Sequence, residues 1–362
     1  MKILFDINHP AHVHLLRNAY TALREHGHQV YVTVKDIPSA QKLLERYEIP
    51  FIELGGKDDK LMLKGLDQLI YDWRILRLVH KYHIDLGVGS SINIAHVSYL
   101  SRMQSIILDD DDDAAEPLFT KYAHPFANAI LTPDSIKRKA QQTIYYPGTH
   151  EMAYLHPKYF QPDENVLNEV GLKKGDVFFI VRFNAFKAHH DVGAKGLSIE
   201  GKRRLIRLLE QYGRVLITTE RNIDEEFQKY QLCVSQEKIH SLMYYATMFI
   251  GDSQTMTSEA GILGTPAIKC NSFAGKLSVP NELENRYGLC YSYLPEDEDK
   301  FLAKIAEILA TPNAKQEWAK RREKMLADKI DVSAFYTWFI ENYPQSAELT
   351  NKADKAFWKR FR

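Results

Sequence analysis

Apolar positions along this chain alternate between two periods. KILFDI is a short apolar run of strand-favouring residues, and after a polar loop the apolar positions over 13–26 recur at helical spacing. Gly27 closes that helix and QVYVTV resumes as a strand. The alternation predicts a helix over 40–47, a strand at PFIEL, a helix over 66–82, a strand at DLGVGS and a helix over 94–102. SIILD, a helix over 115–126 and AILTP complete the series. Strands apolar on both faces and separated by helices predict a parallel sheet covered on each side.

Over 145–162 the text changes to YYPGTHEMAYLHPKYFQP, rich in turn formers and aromatics and without a period, and it reads as a crossing between domains. A second alternation follows: VFFIVRF, a helix over 198–212, RVLITT, a helix near 224–230 and a short strand near Leu232. A helix over 239–246, MFIGD, a helix over 257–263 and PAIKC end it, and from 298 the chain is mostly helical. At 362 residues the chain is long enough for two cores. The expectation is an α/β protein of two doubly wound Rossmann-like domains, 1–150 and 163–325, facing a cleft, with a helical segment 326–362 returning towards the first.

Composition narrows the partners. With 47 basic and 47 acidic residues the formal net charge is zero, so bulk electrostatics nominates no nucleic acid. The N-terminal apolar run is broken by Asp6 and lacks a signal-peptide core, and no window approaches the ~20 uncharged apolar residues of a membrane span. Cys233, Cys270 and Cys290 are widely spaced without a CxxC, as in a reduced cytoplasmic protein.

Four stretches at predicted strand ends carry chemistry. In GDSQTMTSEAGILGTPAIKC a strand leads through hydroxyls into a helix expected to start near Thr257. Free amides at a helix start suit a diphosphate, and Glu259 can accept hydrogen bonds from vicinal hydroxyls; plain helix capping is the alternative. In NHPAHVHLLRN, His12 opens the first helix and can take a proton from a hydroxyl near neutral pH. VRFNAFKAHHD places Arg182 at a strand end, with Lys187, His189 and His190 following; cations there would neutralise a departing diphosphate, or form a solvated basic loop. LDDDDDAAEP sets five carboxylates together; such a run is usually solvated, yet Asp110, Asp111 or Asp113 would orient His12 or bind an acceptor. No spacing completes a metal site.

GDSQTMTSEAGILGTPAIKC resembles the nucleotide-sugar motif of glycosyltransferase-B proteins, including the non-hydrolysing UDP-N-acetylglucosamine 2-epimerases and the lipid II-forming transferase. Its T-M-x-x-E-A-x-x-L-G-T-P-A-I form, with DINHPAHVHLLRN and RFNAFKAHHD, is most similar to the domain of unknown function 354 family. The resemblance implies the GT-B fold, a ribose-holding role for Glu259 and a diphosphate-binding turn at Ser253, Gln254 and Thr255, with Met256 beside it. The epimerases have a glycine pair where this chain has Gln254 and Thr255. The transferases set a histidine in a G-H-V context, matched here by Ala11-His12-Val13, which implies His12 as the base.

These readings converge on a metal-independent glycosyltransferase of glycan or cell-surface polysaccharide biosynthesis. It would take a nucleotide sugar, a UDP-sugar first, as donor rather than any bound cofactor, and a glycan, lipid-linked or small-molecule acceptor. A UDP-sugar 2-epimerase and a non-catalytic nucleotide-binding subunit are the alternatives. The basic aromatic end FWKRFR allows peripheral contact with the inner membrane face.

Overall fold

The computed structural model describes residues 1–55, 64–183, 196–219 and 223–362. The chain divides into two compact units, Met1–His156 with Lys329–Arg362, and Pro157–Asp328.

The first unit holds strands β1 (Lys2–Ile7), β2 (Gln29–Val34), β3 (Ile52–Glu53), β4 (Leu86–Gly89), β5 (Gln104–Leu108), β6 (Ala129–Pro133) and β7 (Thr143–Tyr146). They form one seven-stranded sheet in the order β3-β2-β1-β4-β5-β6-β7, every pairing parallel. Leu4, Ile107 and Ile130 from the strands pack with Ile75 and Ile94 from the covering helices. Helix Val332–Glu341 from the chain's end also belongs here: Ser333 Oγ donates to the Ala153 carbonyl at 2.6 Å, and the Tyr336 and Tyr146 hydroxyls meet at 2.7 Å.

The second unit holds β8 (Phe178–Arg182), β9 (Arg214–Thr218), β10 (Met248–Gly251), β11 (Ala267–Cys270) and β12 (Cys290–Tyr293). Its five-stranded sheet runs β12-β11-β10-β8-β9, again all parallel. Phe179, Phe249 and Ile268 are fully buried in it.

Each sheet reverses its winding once, between β1 and β4 in the first and between β8 and β10 in the second, and ligands of open parallel sheets bind beyond the strands' carboxyl ends at such points. Glycine marks both. A Cβ on Gly89 would lie 2.7 Å from the Asp6 carbonyl oxygen and one on Gly251 2.4 Å from that of Arg182, so only glycine lets the neighbouring strand ends approach so closely.

Several expectations need correcting. The aperiodic 145–162 stretch is not simply a crossing: β7 runs into it, and helix Met152–Leu155 is buried at every position. Only Ile52–Glu53 of PFIEL pairs as a strand, segment 225–230 is a 3₁₀ helix, and near Leu232 there is one isolated bridge, Ile217 to Gln231. Strand β12, CYSY, went unpredicted because only its first residue is fully buried and it carries no apolar run.

Candidate functional site

In the second unit the helix after β10 runs Gln254–Ile262, beginning three residues before the expected Thr257. Ser253 is its N-cap: its Oγ accepts from the Met256 N–H at 3.4 Å, while the Thr257 hydroxyl donates to the Ser253 carbonyl at 2.6 Å. A serine cap needs no glycine to start a helix, so Gln254, Thr255 and Met256 form the first turn, whose amides lie at the positive end of the helix dipole. The Gln254 side chain turns back to accept from Lys269 Nζ on β11. Lys269 is 1% exposed, and burial pushes its amine down to about 8. Arg182 ends β8, buried, with Nη1 3.4 Å from Thr218 Oγ1.

Glu259 falls in the second turn of this helix, not the first, and is buried with Oε1 2.9 Å from His240 Nε2. His240, on helix Ile239–Tyr245, fixes the carboxylate's orientation, and sequence reasoning missed it because a histidine on an apolar helix face reads as core. Lys187 and His190 lie outside the described residues.

At the carboxyl edge of the first sheet, Asp6 accepts from Thr33 Oγ1 at 2.8 Å and Ser91 Oγ at 2.5 Å. His9 caps helix Pro10–Glu25, its Nδ1 accepting from the Ala11 N–H at 3.2 Å. His12, half-buried in that helix's first turn, accepts the Asn8 backbone N–H on Nδ1 at 3.4 Å. In a neutral ring its remaining proton therefore sits on Nε2. Burial, then His9 and His150, push its pKa down to about 3 although Asp110 pulls the other way, so the imidazole is neutral and weakly basic at pH 7.

The aspartate run is folded around a cation that the sequence reading did not consider. Arg138, its side chain fully buried, lies 2.9 Å from Asp109 Oδ1 and 2.7 Å from Asp113 Oδ1, and it donates to Thr132 Oγ1 and the Asp111 carbonyl, each at 2.7 Å. His124 Nε2 meets the other Asp109 oxygen at 2.8 Å. Asp111 is exposed, its N–H donating to Asp109 Oδ1 at 3.1 Å. Asp110 turns elsewhere: its Oδ1 is 3.0 Å from Nδ1 of His150, in the turn after β7. Burial opposes charge on both, but their attraction and hydrogen bond outweigh it, holding Asp110 below and His150 above the ordinary value. Beside them Glu151 is pushed up to about 7, by burial first and then by the Asp110 charge. Thus Asp113 serves Arg138, while Asp110 meets a histidine from the stretch read as a linker. Among the described residues no group of three or more His, Cys, Asp or Glu is arranged to hold a metal ion, and no helix is long and apolar enough to cross a membrane.

Two units of parallel sheet, each reversing its winding beside a polar edge, are the architecture of the GT-B fold, and solved structures bear this out. The UDP co-structure of MnaA from S. aureus has a TM-score of 0.70 at 11% identity, covering 95% of this chain and 97% of that one. UDP-GlcNAc 2-epimerase from Neisseria meningitidis bound to UDP-GlcNAc follows at 0.65 and 11% identity, over 94% of this chain and 100% of that one. The spinosyn rhamnosyltransferase SpnG, complexed with spinosyn aglycone, gives 0.60 and 13% over the same shares, 94% and 100%. The chain itself belongs to the family described as protein of unknown function (DUF354), whose profile matches residues 1–290.

Proposed function

We propose that this protein transfers a sugar from a nucleotide-sugar donor, a UDP-sugar first, to a hydroxyl acceptor. The observation that carries the reading is helix Gln254–Ile262: a serine-capped first turn and, one turn on, a buried glutamate held by His240. The open amides match a diphosphate and Glu259 matches the ribose hydroxyls, two anchors at fixed separation on one rigid element. Arg182, at the end of the adjacent strand, and Lys269 add positive charge where the leaving diphosphate becomes more anionic. The Gln254 side chain, bent back to Lys269, leaves the first-turn amides to the ligand, which answers the missing glycine pair. The first unit would activate the acceptor at its polar edge. MnaA with UDP and the epimerase with UDP-GlcNAc support a uridine nucleotide.

A second reading, 2-epimerisation of the donor, is favoured by the higher TM-score of the UDP-GlcNAc 2-epimerase, 0.65 against 0.60 for the rhamnosyltransferase. Calorimetry with UDP followed by NMR of UDP-GlcNAc incubated with the protein separates the readings. Binding with UDP release only when an acceptor is added supports transfer; a new hexosamine isomer without acceptor supports epimerisation; no UDP binding removes both.

A further inference from the structure

The polar edge of the first unit contains a histidine better built for proton transfer than His12. His150 is 8% exposed, its Nδ1 lies 3.0 Å from Asp110 Oδ1, and its Nε2 is buried without a partner among the described residues. Buried ring nitrogens are nearly always hydrogen-bonded, so an orphaned one marks a place that a ligand group completes. His12 has the opposite arrangement: its Nδ1 accepts a backbone N–H, which puts the ring proton on Nε2. A base needs its lone pair towards the substrate and its N–H towards an anion, and His150 is the ring that has both.

We propose that the Asp110–His150 pair is the general base of the transfer, with His150 Nε2 taking the acceptor's proton and His12 donating from Nε2 to orient that acceptor. This rests on the glycosyl-transfer reading. In the step, the acceptor oxygen forms its bond to the sugar's anomeric carbon as its hydrogen passes to Nε2. The bond from that carbon to the diphosphate oxygen breaks, and its electron pair leaves with the nucleoside diphosphate. The imidazolium so formed keeps its Nδ1–H on the Asp110 carboxylate and later returns the extra proton to water.

Position supports this assignment. Asp110 follows β5 and His150 follows β7, so both stand at the carboxyl edge of the sheet. The Tyr336 ring meets the imidazole edge-on, centroids 6.4 Å apart, and restricts its rotation. The titratable groups around it are Asp110 and Asp109 from the loop after β5, Glu151 from its own turn, His12 from helix Pro10–Glu25 and Tyr336 from helix Val332–Glu341. The carboxylates hold the ring's pKa above its ordinary value, so activity should rise with pH along an ascending, acid-side limb set by this ring.

The test compares native protein, His150→Asn, Asp110→Asn and His12→Asn by UDP release from UDP-GlcNAc against an acceptor panel, from pH 5 to 9. Asparagine keeps a donor where Nδ1 stood, so His150→Asn retains its partner Asp110 and its fold; UDP calorimetry and thermal melting check this. His150→Asn should lose at least about 10²-fold in kcat with KM little changed. Asp110→Asn should move the ascending limb to lower pH, which a merely structural aspartate would not do, and His12→Asn should act mainly on KM. Native-like kcat in folded His150→Asn, or loss of the limb in His12→Asn instead, overturns the assignment alone. A native protein that releases no UDP with any acceptor overturns the transfer reading and the assignment with it.

Discussion

The carboxyl edges of the two sheets solve different problems with similar topology. In the second unit the polar side chains are largely paired in advance, with only Gln254 Nε2 of those named left without a partner among the described residues: Ser253 caps the helix, Lys269 meets the Gln254 oxygen, and His240 holds Glu259. Such an edge presents fixed donors and acceptors, and a ligand that matches them gains affinity without reorganising the protein. The first unit gathers titratable groups instead: His12 is pushed down to about 3, Glu151 up to about 7, and Asp110 and His150 move in opposite directions. Carboxyls and imidazoles whose environments drive their pKa values apart are suited to moving protons. Changes at the second edge should therefore appear in nucleotide affinity, and changes at the first in pH dependence and turnover.

The largest effect expected is at Arg138. Its removal leaves Asp109 and Asp113 facing a site with no guanidinium, and breaking a buried pair by deleting one partner costs about 3–5 kcal/mol. Arg138→Met should lower the denaturant midpoint accordingly, and adding Asp113→Asn should recover part of the loss. A melt unchanged by Arg138→Met would mean that the aspartate loop is held by something else.

At the second edge, Glu259→Gln keeps the side chain's shape and an acceptor for His240 but removes the charge that, in the proposed function, would strengthen bonds from ribose hydroxyls. A loss of about 1.5–3 kcal/mol corresponds to roughly a 10- to 100-fold rise in the UDP Kd, with the pH profile unmoved. Intact affinity with an altered pH profile would reverse the roles assigned to the two edges.

At the first edge, Glu151 gives a stability test that needs no substrate. Its folded pKa of about 7 lies above the ordinary 4.5, so the native chain keeps a proton that the unfolded chain releases. Stability should fall as pH rises between about 4.5 and 7. Glu151→Gln removes that dependence, so the variant should match native protein near pH 4 and exceed it by about 1–3 kcal/mol at pH 8. Equal stability at both pH values would show that the carboxyl ionises freely in the fold.

The two edges also differed in how far the sequence disclosed them. The second lies largely on one continuous stretch, so its hydroxyl-rich turn and its glutamate are legible from local spacing, but the helix start was placed three residues late and Ser253 was not read as its cap. His240 escaped because its partner is 19 residues away. The first edge is assembled from loops distant in sequence: Asp110 and His150 are brought together by β5, β6 and β7, and Arg138 by the segment between the last two. Five adjacent aspartates read as a solvated run because nothing nearby in sequence could neutralise them, and the cation that does so lies 25 residues beyond Asp113. THEM, at 149–152, has no periodicity because its burial comes from β7 and from helix Val332–Glu341 at the far end of the chain.

The smallest effect expected is at Ser253, where capping and ligand binding can be separated. Alanine removes the Oγ that accepts the Met256 N–H and should cost about 1 kcal/mol of stability, whereas glycine at an N-cap costs only a few tenths. If the first-turn amides alone hold the diphosphate, Ser253→Gly should leave the UDP Kd nearly native and Ser253→Ala should raise it only as far as the first turn frays. If the Ser253 hydroxyl itself touches a phosphate oxygen, both variants should weaken UDP equally, by about three- to tenfold, because each lacks that donor. Calorimetry on the pair therefore reads whether this edge binds through its backbone alone, as its prearranged pairing suggests, or through its capping side chain as well.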